Sequence, residues 1–201
     1  MSRRGGTAPE RAQRGEATKA ALVAAARQLF VTKGYFATGT EEIVERAAVG
    51  TRGALYHHFA DKQALFRAVF EAVEEDLLTR AATTRSGTDA WDQLVSGLQG
   101  FLGAALEPEV QRIILIDGPA VLGWNAWREL EGQHGITVIE AALQAARDQG
   151  TIRAQPRREL AHLILAAVDE AALLVAHSDN PKRARRDASR ALGQLLDGLR
   201  Q

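Results

Sequence analysis

From Glu16 onward, apolar residues recur at three- and four-residue spacing, the period of a helix that turns one face to a core; no segment of any length alternates with period two. The spacing predicts a first helix over Glu16–Thr32, with Leu22, Ala25, Ala26, Leu29 and Phe30 as its stripe and Gly34 as its stop. A second, short helix is predicted after Thr38-Gly39-Thr40-Glu41, where Thr38 and Glu41 have capping-box spacing, ending near Ala48. A third runs from Thr51 to about His58. Asp61 caps a fourth, amphipathic to about Arg80 through Ala64, Leu65, Val69, Phe70, Val73 and Leu77. Beyond a polar turn at 81–88, helices fit residues 89–106, 109–116, 119–149 (with a break at Gly132 or Gly135), 157–178 and 184–199. Pro108, Pro119, Pro156 and Pro181 fall at or just before helix starts, where a missing N–H costs nothing. The pattern predicts an all-α fold of about nine helices. Residues 1–15, rich in Gly and Arg without periodicity, read as a disordered basic arm ahead of units at 16–62 and 63–201.

At 201 residues the chain can bury a sizeable core without disulfide or metal staples. With 46% hydrophobic and 25% charged residues, its composition is that of a globular protein and excludes a disordered one. Basic and acidic residues balance at 25 each, yet residues 1–62 hold 10 Lys/Arg against 6 Asp/Glu and the remainder 15 against 19. The N-terminal third is therefore the part suited to a polyanion. The absence of cysteine excludes disulfides, thiolate metal sites and cysteine nucleophiles. Met1-Ser2-Arg3-Arg4-Gly5-Gly6 leads into no apolar stretch, and the apolar runs 163–168 and 171–176 are broken by Asp169-Glu170. A membrane span needs about 20 apolar residues, so a cytoplasmic protein with no membrane partner is expected.

The stretch Ile43 to Leu65, IVERAAVGTRGALYHHFADKQAL, carries the chemistry. Two short helices joined by a tight glycine-containing turn form a helix-turn-helix pattern. Its second helix must keep an apolar face inward while offering polar or aromatic groups to a major groove. Leu55 and Phe59, four apart, face inward; Arg52 with Tyr56, and Gly53 with His57, face outward. Arginine pairs bidentately with guanine, and glycine at 53 lets the backbone approach a duplex closely. Tyr56 and His57 suit phosphates or a thymine methyl. Lys62, in the first turn of the next helix, lies beside free backbone amides and makes a phosphate clamp.

These residues resemble the TetR family of bacterial transcriptional regulators. The resemblance is carried by Gly34-Tyr35-Phe36, Ile43, Ala47-Ala48-Val49, the run Arg52 to Phe59, and Asp61 to Leu65. It implies that Thr40, Tyr56, His57 and Lys62 contact phosphates, and that Thr51, Arg52 and Gly53 read base edges. Two departures stand out. Between Val49 and Tyr56 the chain has one residue more than the commonest family spacing, and Ala48 occupies the usual turn-glycine position. The second helix is therefore expected to run slightly further, with Gly50 taking the left-handed turn. Gly39 stands where the family often has Ser or Thr, leaving Thr38 or Thr40 as the cap. Arg3, Arg4, Arg11 and Arg14 either solubilise the arm or reach a neighbouring groove.

The rest of the chain serves no purpose in DNA contact; the resemblance implies a ligand-binding and dimerisation domain. Leu160–Ala176 carries small and aliphatic groups on more than one face, as a helix buried against both its own core and a partner does. The last helix repeats this with Ala188, Ala191, Leu192, Leu195, Leu196 and Leu199, so a homodimer through helices near 157–178 and 184–199 is expected. The large groups Trp91, Phe101, Trp124 and Trp127, with Asp117 near them, are the candidate pocket for a small-molecule effector. Asp169-Glu170, on an otherwise apolar helix, calls for an arginine partner from Arg157, Arg158 or a second subunit. His57 and His58 are adjacent and diverge, while His134, His162 and His177 are isolated. No metal-ligand spacing, phosphate loop or nucleophile–base set appears, so neither cofactor, metal nor enzymatic activity is expected. The expected function is a ligand-responsive regulator, most simply a repressor released from a double-stranded DNA operator by a small molecule. The alternative is a helical ligand-binding or scaffolding dimer that does not use its DNA head.

Overall fold

The computed structural model describes residues 8–84 and 86–201. Arg3 and Arg4 of the expected arm, and the side chains of Arg11 and His134, lie outside the described residues. Among the described residues the fold consists of nine α-helices and one π-helical segment: α1 (Ala8–Lys33), α2 (Thr40–Ala47), α3 (Arg52–His58), α4 (Lys62–Thr84), α5 (Ala90–Ala104), the π-helix (Val110–Asp117), α6 (Gly118–Leu122), α7 (Trp124–Asp148), α8 (Arg157–Ala176) and α9 (Pro181–Asp197). An isolated bridge between Ile152 and Arg200 is the sole β pairing among the described residues. The chain divides into two compact units between Glu71 and Ala72, inside α4 and further along it than the expected division after residue 62.

In the first unit α1 packs on α2 and α3. The five predicted stripe residues of α1 are all buried, as are Leu55, Phe59, Leu65, Phe66 and Phe70. Phe30 and Phe66 meet at 5.5 Å between ring centroids, and Tyr35 closes the cluster at 5.6 and 5.3 Å from them. Such tilted and edge-on contacts suit the aromatic quadrupole. α1 begins at Ala8, so residues 8–15 are helical rather than part of a disordered arm. Pro9 falls in the first turn, where its missing N–H is harmless, and Thr18 folds its hydroxyl back onto the Arg14 carbonyl at 2.9 Å. Gly34 ends the helix at φ 82°, as its position predicts.

In the second unit α8 packs on α5, α7, α9 and the π-helix, with α5 also against α7 and α9. The segment expected as an α-helix over 109–116 is instead π-helical, and the sequence explains how this register is tolerated. A π-register pairs each carbonyl with the N–H five residues on, which would join Ile114 to Pro119, a residue without an N–H. The Trp127 indole donates to the Ile114 carbonyl instead, at 2.9 Å. The long helix expected over 119–149 breaks at Gly123 (φ 81°), not at Gly132 or Gly135, which both lie within α7. No helix among the described residues is long and apolar enough to cross a membrane.

Candidate functional site

The turn between α2 and α3 is built by two left-handed residues. α2 stops at Ala47, and Ala48 takes φ 53° as its C-cap, donating its N–H to the Glu45 carbonyl. Gly50 follows at φ 86°. Gly50 thus turns as expected, but α2 does not run on past Ala48: that alanine itself ends the helix. The N-cap of α2 is Gly39 and makes no side-chain cap; Thr38 is buried and donates its hydroxyl to the Gly34 carbonyl at 2.7 Å. Neither threonine caps the helix.

From this turn α3 presents its outer face. Leu55 and Phe59 are buried, whereas Thr51, Arg52, Gly53, Tyr56 and His57 are exposed. A Cβ added at Gly53 would meet only Thr51 Oγ1 at 3.6 Å, an ordinary contact, so packing within the chain does not demand glycine there. Arg52, Tyr56 and Thr40 form one network. Hydrogen bonds from Arg52 and then Thr40 lower the Tyr56 hydroxyl pKa, while the tyrosine and Glu41 raise that of the Arg52 guanidinium. Arg52 also pairs with Glu41 at 2.6 Å. His57 stacks edge-on with His58 at 5.1 Å. Lys62 is half-buried and turned inward, donating to the Tyr35 and Thr38 carbonyls. Phe36, 71% exposed, belongs to the same unit and was not singled out as a contact. Its signal was available: an aromatic directly after a helix-ending Gly-Tyr has no stripe to join.

The second unit holds a half-open cavity of about 800 Å³. Leu77, Leu94, Leu98, Ile139, Leu165 and Val168 are among its apolar walls, and Gly97, Gly100 and Gly103 face it from α5 at one-turn spacing. A Cβ at Gly97 or Gly100 would meet nothing within 4 Å, so these glycines leave volume open rather than admit a close neighbour. That three-residue glycine spacing on an apolar helix was the sequence signal for the cavity. Two carboxylates reach it from α7 and α8. Asp169 is 3% exposed and accepts from Arg128 Nη1 at 2.8 Å, so its arginine comes from α7 and not from Arg157 or Arg158. Glu131 is buried and its Oε2 has no hydrogen-bond partner. Burial and the neighbouring acids push the Glu131 pKa up.

Of the five sequence-chosen pocket residues, Phe101 lines this cavity and the other four do not. Trp127 is spent on the Ile114 carbonyl, and Trp91 is fully buried in the core. Trp124 is 55% exposed, 4.9 Å from the Trp127 ring. Asp117 is buried and accepts from Arg112 Nε at 3.2 Å. Large aromatics build the walls' support; small residues leave the space.

A helix-turn-helix unit with an exposed arginine–tyrosine face, followed by a helical unit holding a largely apolar cavity, defines a DNA-binding regulator. Residues 22–69 match the family model for bacterial regulatory proteins of the tetR family, and residues 91–199 match the tetracyclin repressor-like C-terminal domain. The chain belongs to the TetR family of transcriptional regulators. A TetR-family regulator from Pectobacterium atrosepticum is 33% identical, with a TM-score of 0.85 over 97% of this chain and 98% of that one. The transposon Tn10 TetC protein of Escherichia coli is 27% identical over 74% of this chain and 75% of its own length. The transcriptional activator FasR of Mycolicibacterium smegmatis is 34% identical, but over 50% of this chain and 43% of that protein. RolR, whose structure holds the ligand resorcinol, shares the fold at 19% identity and a TM-score of 0.73, covering 92% of this chain and 89% of RolR.

Proposed function

We propose that this regulator binds a two-fold operator as a homodimer, represses by occupying it, and is released when a small molecule fills the cavity of the second unit. The observation that carries this reading is α4. The helix starts at Lys62, beside α3, and its later residues Glu74, Leu77 and Leu78 line the cavity. A ligand that alters the packing of these residues acts on the same helix whose first residues complete the DNA-side unit. It needs only to bind the DNA-incompetent state more tightly; a preference of ~100-fold supplies about 2.7 kcal/mol of coupling.

In this reading Arg52, with Thr51 and Gly53, reads base edges, while Thr40, Tyr56, His57 and Lys62 hold phosphates. The Arg52–Glu41 pair then opens on DNA, exchanging one carboxylate for guanine or phosphate acceptors. Leu163 and Leu174 lie three turns apart on α8, both exposed, and α9 exposes Leu195. These leucines are the proposed dimer contact. Two recognition helices brought together so would sit ~34–36 Å apart, or a multiple of that. The repressor-like C-terminal domain supports repression, against the activator FasR, which the chain matches over less than half that protein's length.

The test is a salt-titrated anisotropy assay on DNA flanking the protein's own gene, with scrambled DNA as control. Tight, sequence-dependent binding by a dimer is expected. Arg52→Ala should weaken the specific site by about ten- to a hundredfold and relax its preference. A Leu174→Asp/Leu195→Asp variant should sediment as a monomer and lose cooperative operator binding. An operator bound with full affinity and preference by Arg52→Ala would remove the base-reading assignment.

A further inference from the structure

We propose that the cavity of the second unit takes an apolar molecule carrying one ammonium group, seated against the carboxylate of Glu131. The inference deepens the effector reading above and rests on the cavity being the effector site. Four acidic residues line the space (Glu74, Glu107, Glu131 and Asp169) against one basic residue, Arg80. Arg80 is engaged by both carboxylate oxygens of Glu107, at 3.1 and 2.9 Å. Asp169 is matched by Arg128. An anionic molecule would therefore meet an excess of carboxylates and no uncommitted guanidinium on the wall. Glu131 is different: it is 7% exposed, and its Oε2 finds no donor among the described residues. A buried polar atom left so is costly unless something else supplies the partner.

The groups facing Glu131 set what that partner is. Asp169 from α8 and Glu74 from α4 add negative charge, and Arg128 on its own helix offsets part of it. Burial is the largest cause of the upward shift, which takes the group to about 9. At neutral pH, with no ligand bound, Glu131 therefore keeps its proton. When an ammonium group enters, the Glu131 O–H bond breaks, the proton passes to solvent, and the carboxylate left behind accepts from the ligand N–H. Charge balances: one cation enters and one proton leaves. The apolar walls take the rest of the molecule, and the open volume over Gly97 and Gly100 accommodates its bulk.

The experiment is calorimetric titration of the full chain at neutral pH with decylamine, 1-decanol and decanoate, which share one tail and differ in head group. Each is run in two buffers of unlike ionisation enthalpy. Decylamine should bind about tenfold or more tighter than decanol, with decanoate weakest, and should release about one proton per molecule bound. Glu131→Gln should bring the amine down to the alcohol's affinity and abolish the proton release, leaving decanol unchanged. The wild-type ranking and proton count decide the matter even if that variant fails to fold. Decanol or decanoate binding as tightly as the amine, amine binding without proton release, or no binding by any of the three would overturn the proposal. Operator binding is measured separately, so its success or failure stays distinguishable from this one.

Discussion

The ammonium of Lys62 stands 4.0 Å from the centre of the Tyr35 ring and donates to the Tyr35 carbonyl at 2.9 Å, with the Thr38 carbonyl at the same distance. A lysine that the family resemblance assigns to phosphate is thus also the clamp that closes the α1–α2 loop. An ammonium has three donors; two are spent on these carbonyls and the third is left for a phosphate. Lys62→Met keeps the stem and removes the donors. It should cost the first unit about 1–3 kcal/mol, the usual worth of hydrogen bonds to a charged group, and weaken all DNA sequences alike. Melting followed by circular dichroism and a salt-titrated binding curve check both halves. An unchanged melt would show the clamp to be idle.

Ala48 makes a second prediction in the same unit. Its φ of 53° places a Cβ in the left-handed region, which costs a non-glycine residue roughly 1–2 kcal/mol. Ala48→Gly removes that strain but adds freedom to the unfolded chain. The balance should be a gain of about 0.5–1 kcal/mol. Gly50→Ala, at φ 86° with open space around it, should lose stability for the converse reason. Urea unfolding monitored by Tyr35 and Tyr56, the only tyrosines in the chain, reads this unit.

The fate of these positions shows what a sequence displays. The stripe of α1 and the inward pair Leu55 and Phe59 were legible because helical period and burial are the same fact stated twice. The turn was half legible: Gly50 announces a left-handed residue, while nothing in an alanine announces one at 48. The π-register was hidden, because Pro119 reads as a helix start and the acceptor it leaves is filled by Trp127 from another helix. The cavity was misplaced for a related reason. Trp91 and Trp127 read as pocket linings but are packed solid, and the space opens over the glycines of α5. Absence of volume leaves a fainter mark on a sequence than its presence.

Glu131 predicts how stability responds to pH. Its folded pKa is raised above the ordinary 4.5 by burial first and by Asp169 and Glu74 next, and Asp169 is itself raised by burial. Between the unfolded and folded values the native state binds more protons than the unfolded one, so stability falls as pH rises through that window. It is fully present below about 4.5 and lost progressively toward about 9. The three tryptophans all lie in the second unit, so their fluorescence reports its unfolding alone. The midpoint should drop on the order of 5 °C between mildly acid and mildly alkaline solution. Glu131→Gln should flatten most of that slope and melt higher at the alkaline end. An unaltered slope in that variant would place the titration elsewhere.

The glycines of α5 set stability against capacity. Each glycine inside a helix costs about 0.5–1 kcal/mol relative to alanine, and a Cβ at 97 or 100 would touch nothing. Gly97→Ala with Gly100→Ala should therefore stabilise the second unit by about 1–2 kcal/mol, seen as a higher urea midpoint in tryptophan fluorescence. Were these residues needed for close helix packing, the same changes would destabilise it. Larger side chains separate the two roles further. Gly100→Leu should keep the fold, occupy part of the 800 Å³ now open, and weaken any cavity ligand without changing operator affinity in its absence. A chain that carries two helix-weakening residues where no neighbour requires them keeps that space at a cost in stability, the usual exchange at a binding site. Loss of ligand response in Gly100→Leu, with intact operator binding, is the outcome that ties the space to function.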